Sequence, residues 1–284
     1  MSTKAGDVYG VVGDPIEHSL SPEMHNAAFK KLGLNCIYLP FRVAPRDLKS
    51  AMMGMRALNI RGFNVTTPHK TAVIKYLDEL DEAAQEVGAV NTIHNDKGRL
   101  IGYNTDGLGA LKALQERNED PSEKRIVLIG AGGAARAIAF SLAGRARSVL
   151  ILNRSKHRAV KLAKDVERRL GKKTLARQLV GNSLLEALRG ADILINATSV
   201  GMYPRTDETL ATRKVLHPDM VVFDIIYNPP KTLLLREAEA AGAKTICGVG
   251  MLVHQGAEAF KIWTDHSPPI EVMRRALMKE LSEW

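Results

Sequence analysis

A glycine-rich turn between an apolar run and an alanine-rich run constrains the fold of this chain more than any other segment. The apolar run Arg125–Ile129 is followed by Gly130-Ala131-Gly132-Gly133-Ala134-Ala135. Such glycines allow a tight turn from strand to helix and let the backbone approach dinucleotide phosphates, which the helix N-terminus attracts. The third glycine position of G-x-G-x-x-G holds Ala135, a small residue that still permits close packing. We therefore predict a doubly wound dinucleotide-binding domain; a glycine turn that serves only packing is the alternative.

The end of the next apolar run, Ser148–Leu152, indicates which dinucleotide is bound. An NAD site needs an acid there to bind the ribose 2′-hydroxyl. Here the run continues as Asn153-Arg154-Ser155-Lys156-His157-Arg158, which contains no acid. Arg154 and Arg158 can bracket a phosphate, and Asn153 and Ser155 can donate hydrogen bonds to it. The pattern predicts NADP as the cofactor; the alternative is that these residues only begin an exposed basic helix.

Strand-like and helix-like runs alternate along the chain, which predicts an α/β fold. A length of 284 residues suggests two domains, although one large domain is possible. We expect a first domain at 1–106 with a mostly parallel sheet and an antiparallel hairpin at its edge, a Rossmann-type domain at 107–248 and C-terminal helices at 249–284. Strands are predicted at Val8–Val12, Cys36–Val43, Gly62–Val65, Val90–His94, Arg99–Tyr103, Arg125–Ile129, Ser148–Leu152, Asp192–Asn196 and Met220–Asp224. Helices are predicted over Pro22–Leu32 and Asp47–Leu58, once or twice between His69 and Val87, from Ser155, and twice after Met251.

Composition excludes several classes of protein. Hydrophobic residues make up 45% and charged residues 25%, as in ordinary globular proteins. No apolar run is long enough to span a bilayer and no signal peptide is evident, so we expect a cytoplasmic protein without membrane contact. The two cysteines, Cys36 and Cys247, lie in apolar runs, which favours buried free thiols. The histidines lack zinc-ligand spacing, so no metal site is predicted.

The net charge of +9 lies entirely in residues 107–284, because acidic and basic residues balance in 1–106. The densest basic stretch is 144–177. It is interpreted as a solvated helix face, or as a field that attracts a polyanion such as a phosphorylated cofactor. A nucleic-acid partner is disfavoured because aromatic residues are nearly absent from this stretch.

Three polar segments lie on turns beside apolar runs, where binding and catalytic groups tend to sit: Ser19–Pro22, Asn64–Lys70 and Asn104–Gly107. Proline is favoured at the first helical position, so Ser21 is predicted as an N-cap, and Ser19 adds a second hydroxyl that makes a carboxylate site plausible. Lys70 and Asp106 place a cation and an anion at the ends of elements, which suggests a proton relay during hydride transfer. The alternatives are a solvated lysine and an aspartate that caps a helix beginning at Gly107.

Seven motifs in order give the chain a family resemblance. They are Ser-x-Ser-Pro at 19–22, Asn-Val-Thr-x-Pro-x-Lys at 64–70, Gly-Ala-Val-Asn-Thr at 88–92, Gly-x-Asn-Thr-Asp-Gly at 102–107, Gly-Ala-Gly-Gly-Ala at 130–134, Asn-Arg-Ser at 153–155 and Gln-Gly-Ala at 255–257. Over essentially its full length the chain resembles the shikimate dehydrogenase family. The resemblance implies reversible, NADP-dependent reduction of 3-dehydroshikimate to shikimate in aromatic amino acid biosynthesis. It also implies that the first domain binds substrate and that the C-terminal helices return to it.

The resemblance assigns roles to individual residues. Lys70 and Asp106 match the catalytic pair. The residues that match carboxylate-binding positions are Ser19, Ser21 and Tyr227. The residues that match positions around the ring hydroxyls are Asn64, Thr66, Asn91, Asp106 and Gln255. Gly248 and Met251 match positions near the nicotinamide.

Two other functions are weighed against this one. A quinate/shikimate dehydrogenase that uses NAD would carry an acid near the position of Asn153. A non-catalytic NADP-binding sensor would not need Lys70, Asp106 or Gln255. The sequence leaves the oligomeric state open between monomer and homodimer.

Overall fold

The computed structural model describes residues 6–282, which fall into two compact units. Unit 1 comprises the described residues up to Thr105 and those from Gln255 onward, and unit 2 runs from Asp106 to His254. Both units contain a mostly parallel sheet with helices between the strands, which confirms the predicted α/β class. Within the described residues, no helix is long and apolar enough to cross a membrane.

The helices and strands follow the alternation read from the sequence. In chain order they are β1 (Asp7–Gly13), α1 (Ser21–Lys31), β2 (Cys36–Arg42), α2 (Leu48–Ala57), β3 (Gly62–Val65), β4 (Glu79–Leu80), α3 (Glu82–Val87), β5 (Thr92–Asp96), β6 (Arg99–Tyr103), α4 (Asp106–Gln115), β7 (Arg125–Ile129), α5 (Gly133–Ala143), β8 (Ser148–Asn153), α6 (Lys156–Leu170), β9 (Leu175–Gln178), α7 (Ser183–Leu188), β10 (Ile193–Asn196), β11 (Val221–Asp224), α8 (Leu233–Ala240), β12 (Lys244–Cys247), α9 (Gly248–Thr264) and α10 (Ile270–Ser282). Short 3-10 turns at Pro45–Asp47 and Ala72–Tyr76 precede α2 and β4.

Several elements depart from the sequence prediction. The segment between His69 and Val87 holds a 3-10 turn, the two-residue strand β4 and α3 rather than one or two helices. The elements β9, α7, α8 and β12 were not predicted, and α9 begins at Gly248 rather than near Met251. Cys36 and Cys247 are free thiols, but both are half-buried rather than buried.

In unit 1 the described strands form a six-stranded sheet in the order β2-β1-β3-β5-β6-β4. Pairs β1–β2, β1–β3 and β4–β6 are parallel, and β3–β5 and β5–β6 are antiparallel. The predicted hairpin is present as β5–β6, but it does not lie at the edge of the sheet, because β4 pairs with β6 and forms that edge. Its two-residue loop, Lys97-Gly98, has φ angles of 51° and 94°, the left-handed conformation that tight hairpins require. Alternate residues of β1 face opposite sides of this sheet, as in any strand.

The two faces of the unit 1 sheet bury different side chains. On one face α2 packs with apolar residues of β1, β3 and β5, among them Val12, Met52, Phe63 and Ile93. The other face carries an aromatic cluster drawn from β1, β2, α1 and α9: Tyr9, His25, Phe29, Tyr38, Phe260 and Trp263. Helix α10 packs against α1.

Strand β2 forms one edge of the unit 1 sheet, and a side chain occupies part of that edge. Asn26, on α1, donates from Nδ2 to the Tyr38 carbonyl at 2.9 Å and accepts the Tyr38 N–H at Oδ1 at 2.8 Å. The Cys36 N–H is bound by Leu34 O at 2.9 Å, and Pro40 has no N–H to offer. The Asn26 amide thus fixes the backbone at Tyr38 as a neighbouring strand would.

In unit 2 the described strands form a second six-stranded sheet, in the order β12-β11-β10-β7-β8-β9, with every pair parallel. Counted within the unit, this order is 6-5-4-1-2-3, which is the Rossmann order read from the other edge. The order in which the chain adds strands to the sheet reverses between β7 and β10, so the carboxyl ends of these two strands border the crevice where such folds bind ligands.

Candidate active site

A network of buried side-chain hydrogen bonds in unit 1 is built on Asn91, which precedes β5. Asn91 Nδ2 donates to Thr105 Oγ1 at 2.9 Å and to Gln255 Oε1 at 3.2 Å, and the Thr105 N–H donates to Asn91 Oδ1 at 2.8 Å. All three residues are buried. Asn91 and Gln255 are 164 positions apart, so only the folded chain brings them together.

Asn64, on β3, extends this network. Its Nδ2 donates to the Asn91 carbonyl at 3.2 Å and to Thr92 Oγ1 at 3.1 Å, and its Oδ1 accepts the Tyr38 hydroxyl at 2.7 Å. With both donors engaged and its oxygen accepting a hydrogen bond, this buried carboxamide is fixed in one orientation. The structure therefore joins Asn64, Asn91 and Gln255 in one preorganised group.

Three members of this network were given no role in the sequence analysis: Tyr38, Thr92 and Thr105. Tyr38 lies in the middle of an apolar strand, where no pattern marks its hydroxyl as part of a polar network. Thr105 lies within the motif at 102–107, and that motif was the signal that could have found it. Tyr38 is fully buried and Thr105 is 4% exposed.

Ser21 is the first residue of α1 rather than its N-cap, so that prediction was wrong. Leu20 holds the N-cap position, and no side chain caps the helix. The Ser21 side chain is buried and hydrogen-bonds the phenol of Tyr38; burial raises the pKa of Tyr38 well above its ordinary value, and this bond opposes the rise. The half-buried Ser19 accepts a long bond, 3.4 Å, from the Ser21 N–H. Neither hydroxyl serves as the helix cap, which removes the main structural explanation for this pair of serines.

Lys70 lies between β3 and the 3-10 turn, in a segment that main-chain bonds hold in place. The His69 N–H donates to the Thr66 carbonyl at 2.9 Å, and the Val90 N–H donates to the Lys70 carbonyl at 2.7 Å. The His69 ring is buried, with Nε2 2.6 Å from a main-chain carbonyl oxygen. Lys70 and Thr66 are half-buried. Because Val90 directly precedes Asn91, its bond to Lys70 O fixes the Lys70 backbone close to Asn91.

Asp106 is the first residue of α4, in unit 2, and is 4% exposed. The helix begins one residue earlier than the capping alternative supposed, so Asp106 is not its N-cap. A carboxylate in the first turn is favoured by the helix dipole. A Cβ on Gly107 would lie 2.8 Å from the Ala137 carbonyl oxygen, and the Gly107 carbonyl accepts Ser141 Oγ at 3.1 Å. Close packing of α4 on α5 therefore fixes the start of the helix.

The glycine turn after β7 has open backbone at the start of α5. Gly130 has a φ of +123°, and a Cβ there would stand 2.6 Å from the Ala197 carbonyl oxygen, so only glycine fits. Ala135 is fully buried against this turn, which explains the small residue at the third glycine position. Gly132 is the N-cap of α5, and nothing lies within 4 Å of a Cβ built on it. This open N-terminus, flanked by the half-buried Ala131, Gly133 and Ala134, fits a phosphate group.

The turn after β8 presents two guanidinium groups to solvent. Arg154 and Arg158 are exposed, and within the part of the chain that the structure describes neither forms an ion pair. Ser155 is the N-cap of α6, but its side chain makes no capping bond. Asn153 Nδ2 donates to the Ser155 carbonyl at 3.1 Å and so holds the turn. These donors suit a phosphate monoester.

The start of α9 packs tightly against the segment after β11. A Cβ on Gly248 would overlap the Ile225 carbonyl oxygen, and the Gly248 N–H donates to Ile226 O at 3.1 Å. Tyr227 follows directly and is half-buried, and Met251, one turn into α9, is buried.

The basic stretch 144–177 is mostly the solvent face of α6. Arg136 and Arg168 both pair with Asp165, at 2.8 and 2.9 Å, and the apolar side of α6 is buried. This geometry matches the interpretation as a solvated helix face. Among residues 6–282, no group of three or more His, Cys, Asp or Glu side chains could hold a metal ion.

Three family models match successive parts of the chain. Residues 11–93 match the shikimate dehydrogenase substrate binding domain, residues 112–231 match shikimate / quinate 5-dehydrogenase, and residues 248–278 match the shikimate 5'-dehydrogenase C-terminal domain.

Relatives and solved structures give the same result over nearly the whole chain. The protein named shikimate dehydrogenase (NADP(+)) of Methanopyrus kandleri is 51% identical over 97% of this chain and 96% of its own length. The protein of the same name from Methanocaldococcus jannaschii is 51% identical over 97% of this chain and 98% of its own. A crystal structure of a shikimate dehydrogenase in complex with NADP+ is 50% identical, covers 97% of this chain and 96% of its own, and superposes with a TM-score of 0.92. This chain belongs to the shikimate dehydrogenase family.

Proposed function

We propose that this chain is an NADP-dependent oxidoreductase that reversibly reduces 3-dehydroshikimate to shikimate, a reaction of aromatic amino acid biosynthesis. The observation that carries the proposal is the buried network of Asn64, Asn91 and Gln255. Binding a dinucleotide requires none of these side chains, whereas a polyhydroxylated ring needs such fixed donors and acceptors. Family membership and full-length similarity to relatives named shikimate dehydrogenase (NADP(+)) support the same reaction.

We assign substrate binding to residues 1–106 and to the C-terminal helices, 249–284. Ser19, Ser21 and Tyr227 are the groups proposed for the substrate carboxylate. The groups proposed for the ring hydroxyls are Asn64, Thr66, Asn91, Asp106 and Gln255. Hydroxyl and amide groups held by their neighbours bind such a ligand with little loss of side-chain entropy.

We assign cofactor binding to residues 107–248 and the start of α9. The glycine turn Gly130–Ala134 would hold the pyrophosphate at the N-terminus of α5. Asn153, Arg154, Ser155 and Arg158 would hold the 2′-phosphate, because guanidinium forks match phosphate oxygens. Gly248 and Met251 would lie near the nicotinamide.

Lys70 and Asp106 are proposed as the pair that handles the proton. The bound cofactor accepts a hydride from the carbon that carries the alcohol. The hydroxyl proton must pass to a protein group in the same reaction, or the developing alkoxide must be stabilised by a cation. Lys70 can take either role, as the acceptor of the proton or as the cation beside the alkoxide.

A spectrophotometric assay tests the function. Purified protein with shikimate and NADP should show growing absorbance at the NADPH band, and NAD at the same concentration should support far less turnover. Quinate in place of shikimate measures the breadth of the substrate site. No turnover of shikimate with either cofactor would contradict the proposal, and a preference for NAD would contradict the choice of cofactor.

The two alternatives are not favoured. An NAD-dependent quinate/shikimate dehydrogenase would carry an acid near Asn153, and a non-catalytic sensor would have no use for the buried network of unit 1.

We further infer that the protein works in the cytoplasm on small molecules, without nucleic acid or membrane, as a monomer or a homodimer. Light scattering on a size-exclusion column distinguishes the two oligomeric states.

A further inference from the structure

A buried carboxylate in unit 2 has no part in the function proposed above. Asp224 ends β11 and is fully buried, and in the sheet register it stands beside Asn196, the last residue of β10. Asn196 and Thr232 are fully buried too. Among the described residues Asp224 pairs with no cation, and burial raises its pKa to about 6. A carboxylate in such a place is unfavourable for stability unless hydrogen bonds compensate its desolvation.

Three donors converge on this carboxylate. Thr232 Oγ1 donates to Oδ2 at 2.7 Å, and Asn196 Nδ2 and the Ile226 N–H donate to Oδ1 at 3.0 and 3.2 Å. Thr232 is also the N-cap of α8, where its Oγ1 accepts the Leu235 N–H. The Asp224 side chain therefore connects the ends of β10 and β11 to the start of α8 by hydrogen bonds.

Through Asn196 the carboxylate is connected to the glycine turn. Asn196 Oδ1 accepts the Thr198 N–H and hydroxyl at 3.0 and 2.8 Å. The intervening Ala197 donates its N–H to Ile129 O at 2.8 Å, and its carbonyl oxygen is the atom that a Cβ on Gly130 would strike. The loop after β10 thus packs on the turn after β7.

Through Ile226 the carboxylate is connected to the start of α9. The Ile226 carbonyl accepts the Gly248 N–H at 3.1 Å, and the Ile225 carbonyl oxygen lies where a Cβ on Gly248 would stand. Tyr227 is the next residue. Asp224 is therefore linked to the glycine turn through Asn196. It is linked through Ile226 to the residues assigned to the nicotinamide end of the cofactor.

We propose that Asp224 is a positioning residue that holds the loops after β7, β10, β11 and β12 in one arrangement and thereby orients the nicotinamide end of NADP and Tyr227. It touches neither substrate nor cofactor. The inference rests on the proposed function for its consequence in catalysis. The effect is expected at the nicotinamide end of the cofactor and not at the 2′-phosphate. Arg154 and Arg158, which are assigned to that phosphate, lie on the turn after β8 and take no part in this network.

The experiment compares Asp224→Ala and Asp224→Asn with a stability control, Val222→Ala. Val222 is a fully buried core residue of β11, so its truncation costs folding energy without touching the loops. Five quantities are measured for each variant: the melting temperature, kcat for shikimate oxidation, the fluorescence of bound NADPH, and the Kd values for NADPH and for 2′,5′-ADP by calorimetry. The last ligand carries the 2′-phosphate but lacks the nicotinamide.

We expect Asp224→Ala to lower kcat by roughly tenfold or more and to change the fluorescence of bound NADPH, with the Kd for 2′,5′-ADP within about twofold of wild type. Asp224→Asn keeps an acceptor at Oδ1 and should lose less. Thr232→Val should follow Asp224→Ala in direction, and Thr232→Ser, which keeps the hydroxyl, should restore the wild-type values. Val222→Ala should lower the melting temperature and leave the fluorescence and kcat nearly unchanged.

Two results would overturn the inference: wild-type NADPH fluorescence and kcat in the folded Asp224 variants, or equal losses of affinity for 2′,5′-ADP and NADPH. If Asp224→Ala does not fold, Asp224→Asn and Thr232→Val decide between the same outcomes. Failure of the proposed function would look different, because wild type would not oxidise shikimate while the fluorescence and calorimetry would still test Asp224.

Discussion

At the scale of single residues, the sequence identified side chains but not their partners. Asn64 and Asn91 were found because they stand in ordered motifs, and their proposed roles come from the family resemblance. The hydroxyl of Tyr38 on β2 donates a hydrogen bond to Asn64 on β3, and no local sequence pattern encodes such a contact between strands. For Ser21 the sequence analysis assigned a partner that the structure does not show, a capping bond to the helix. Pro22 correctly marked a helix start, but the helix begins one residue before the proline, so Ser21 is inside it.

Lys70→Met tests the proton-handling group with most of the side-chain bulk kept. General acid–base groups contribute about 10²–10⁴-fold in rate, so kcat should fall by that factor. The Kd for shikimate, measured by calorimetry, should change much less. Lys75→Met, at an exposed lysine of the same segment, should leave kcat near wild type. A kcat within a few-fold of wild type in Lys70→Met would remove Lys70 from the mechanism and leave Asp106 acting through water.

Arg154→Ala tests the choice of cofactor. Loss of a charge-assisted partner costs about 1.5–3 kcal/mol, or roughly 10- to 150-fold in the KM for NADP. Kinetics with NAD should hardly change, since that cofactor has no 2′-phosphate. Arg236→Ala, at an exposed arginine of α8, is the matched control and should change neither. Equal losses with both cofactors would show that Arg154 does not read the 2′-phosphate.

At the scale of helices and strands, the sequence predicted the elements with strong local signals. The buried runs of β7, β8 and β11 and the hairpin loop Lys97-Gly98 were found because apolar runs and left-handed turn residues are local properties. Strands β9 and β12 form the two edges of the unit 2 sheet, and most of their residues are exposed or half-buried. Both were missed because pairing with a neighbouring strand, rather than their own composition, makes them strands.

The aromatic cluster around α1 should give the protein an acid-sensitive stability. His25 is fully buried, its ring stacks on Tyr38 with 4.5 Å between centroids, and burial lowers its pKa from 6.5 to about 3. Below about pH 6.5 the unfolded chain binds a proton that the folded chain does not. The free energy of unfolding should therefore fall as the pH drops, by up to about 1.4 kcal/mol per pH unit.

Urea unfolding between pH 7.5 and 5 measures this slope. His25→Phe keeps an aromatic ring in the cluster and removes the titrating group, so its stability should depend less on pH than that of wild type. His157→Gln, at an exposed histidine, should keep the wild-type slope. An unchanged slope in His25→Phe would assign the acid sensitivity to other groups.

At the scale of the whole molecule, the two units should respond to different ligands. Hydrogen–deuterium exchange with 2′,5′-ADP should slow exchange at 130–136 and 153–158 in unit 2, because bound ligand stabilises the segments that contact it. Shikimate should slow exchange most at 64–70 and 88–93 in unit 1. Protection by shikimate confined to unit 2, or protection by 2′,5′-ADP confined to unit 1, would contradict the assignment of substrate and cofactor to these regions.

The amide of Asn26 has a consequence for self-association. An exposed edge strand can act as a template on which another chain adds a strand, the step that starts domain swapping and fibril growth. At β2 the outward main-chain groups of Tyr38 are already bound by Asn26, and Pro40 has no N–H to donate. A second chain would have to displace that amide before it could pair here. Asn26, which fixes the backbone at Tyr38, therefore also hinders another chain from adding a strand at this edge.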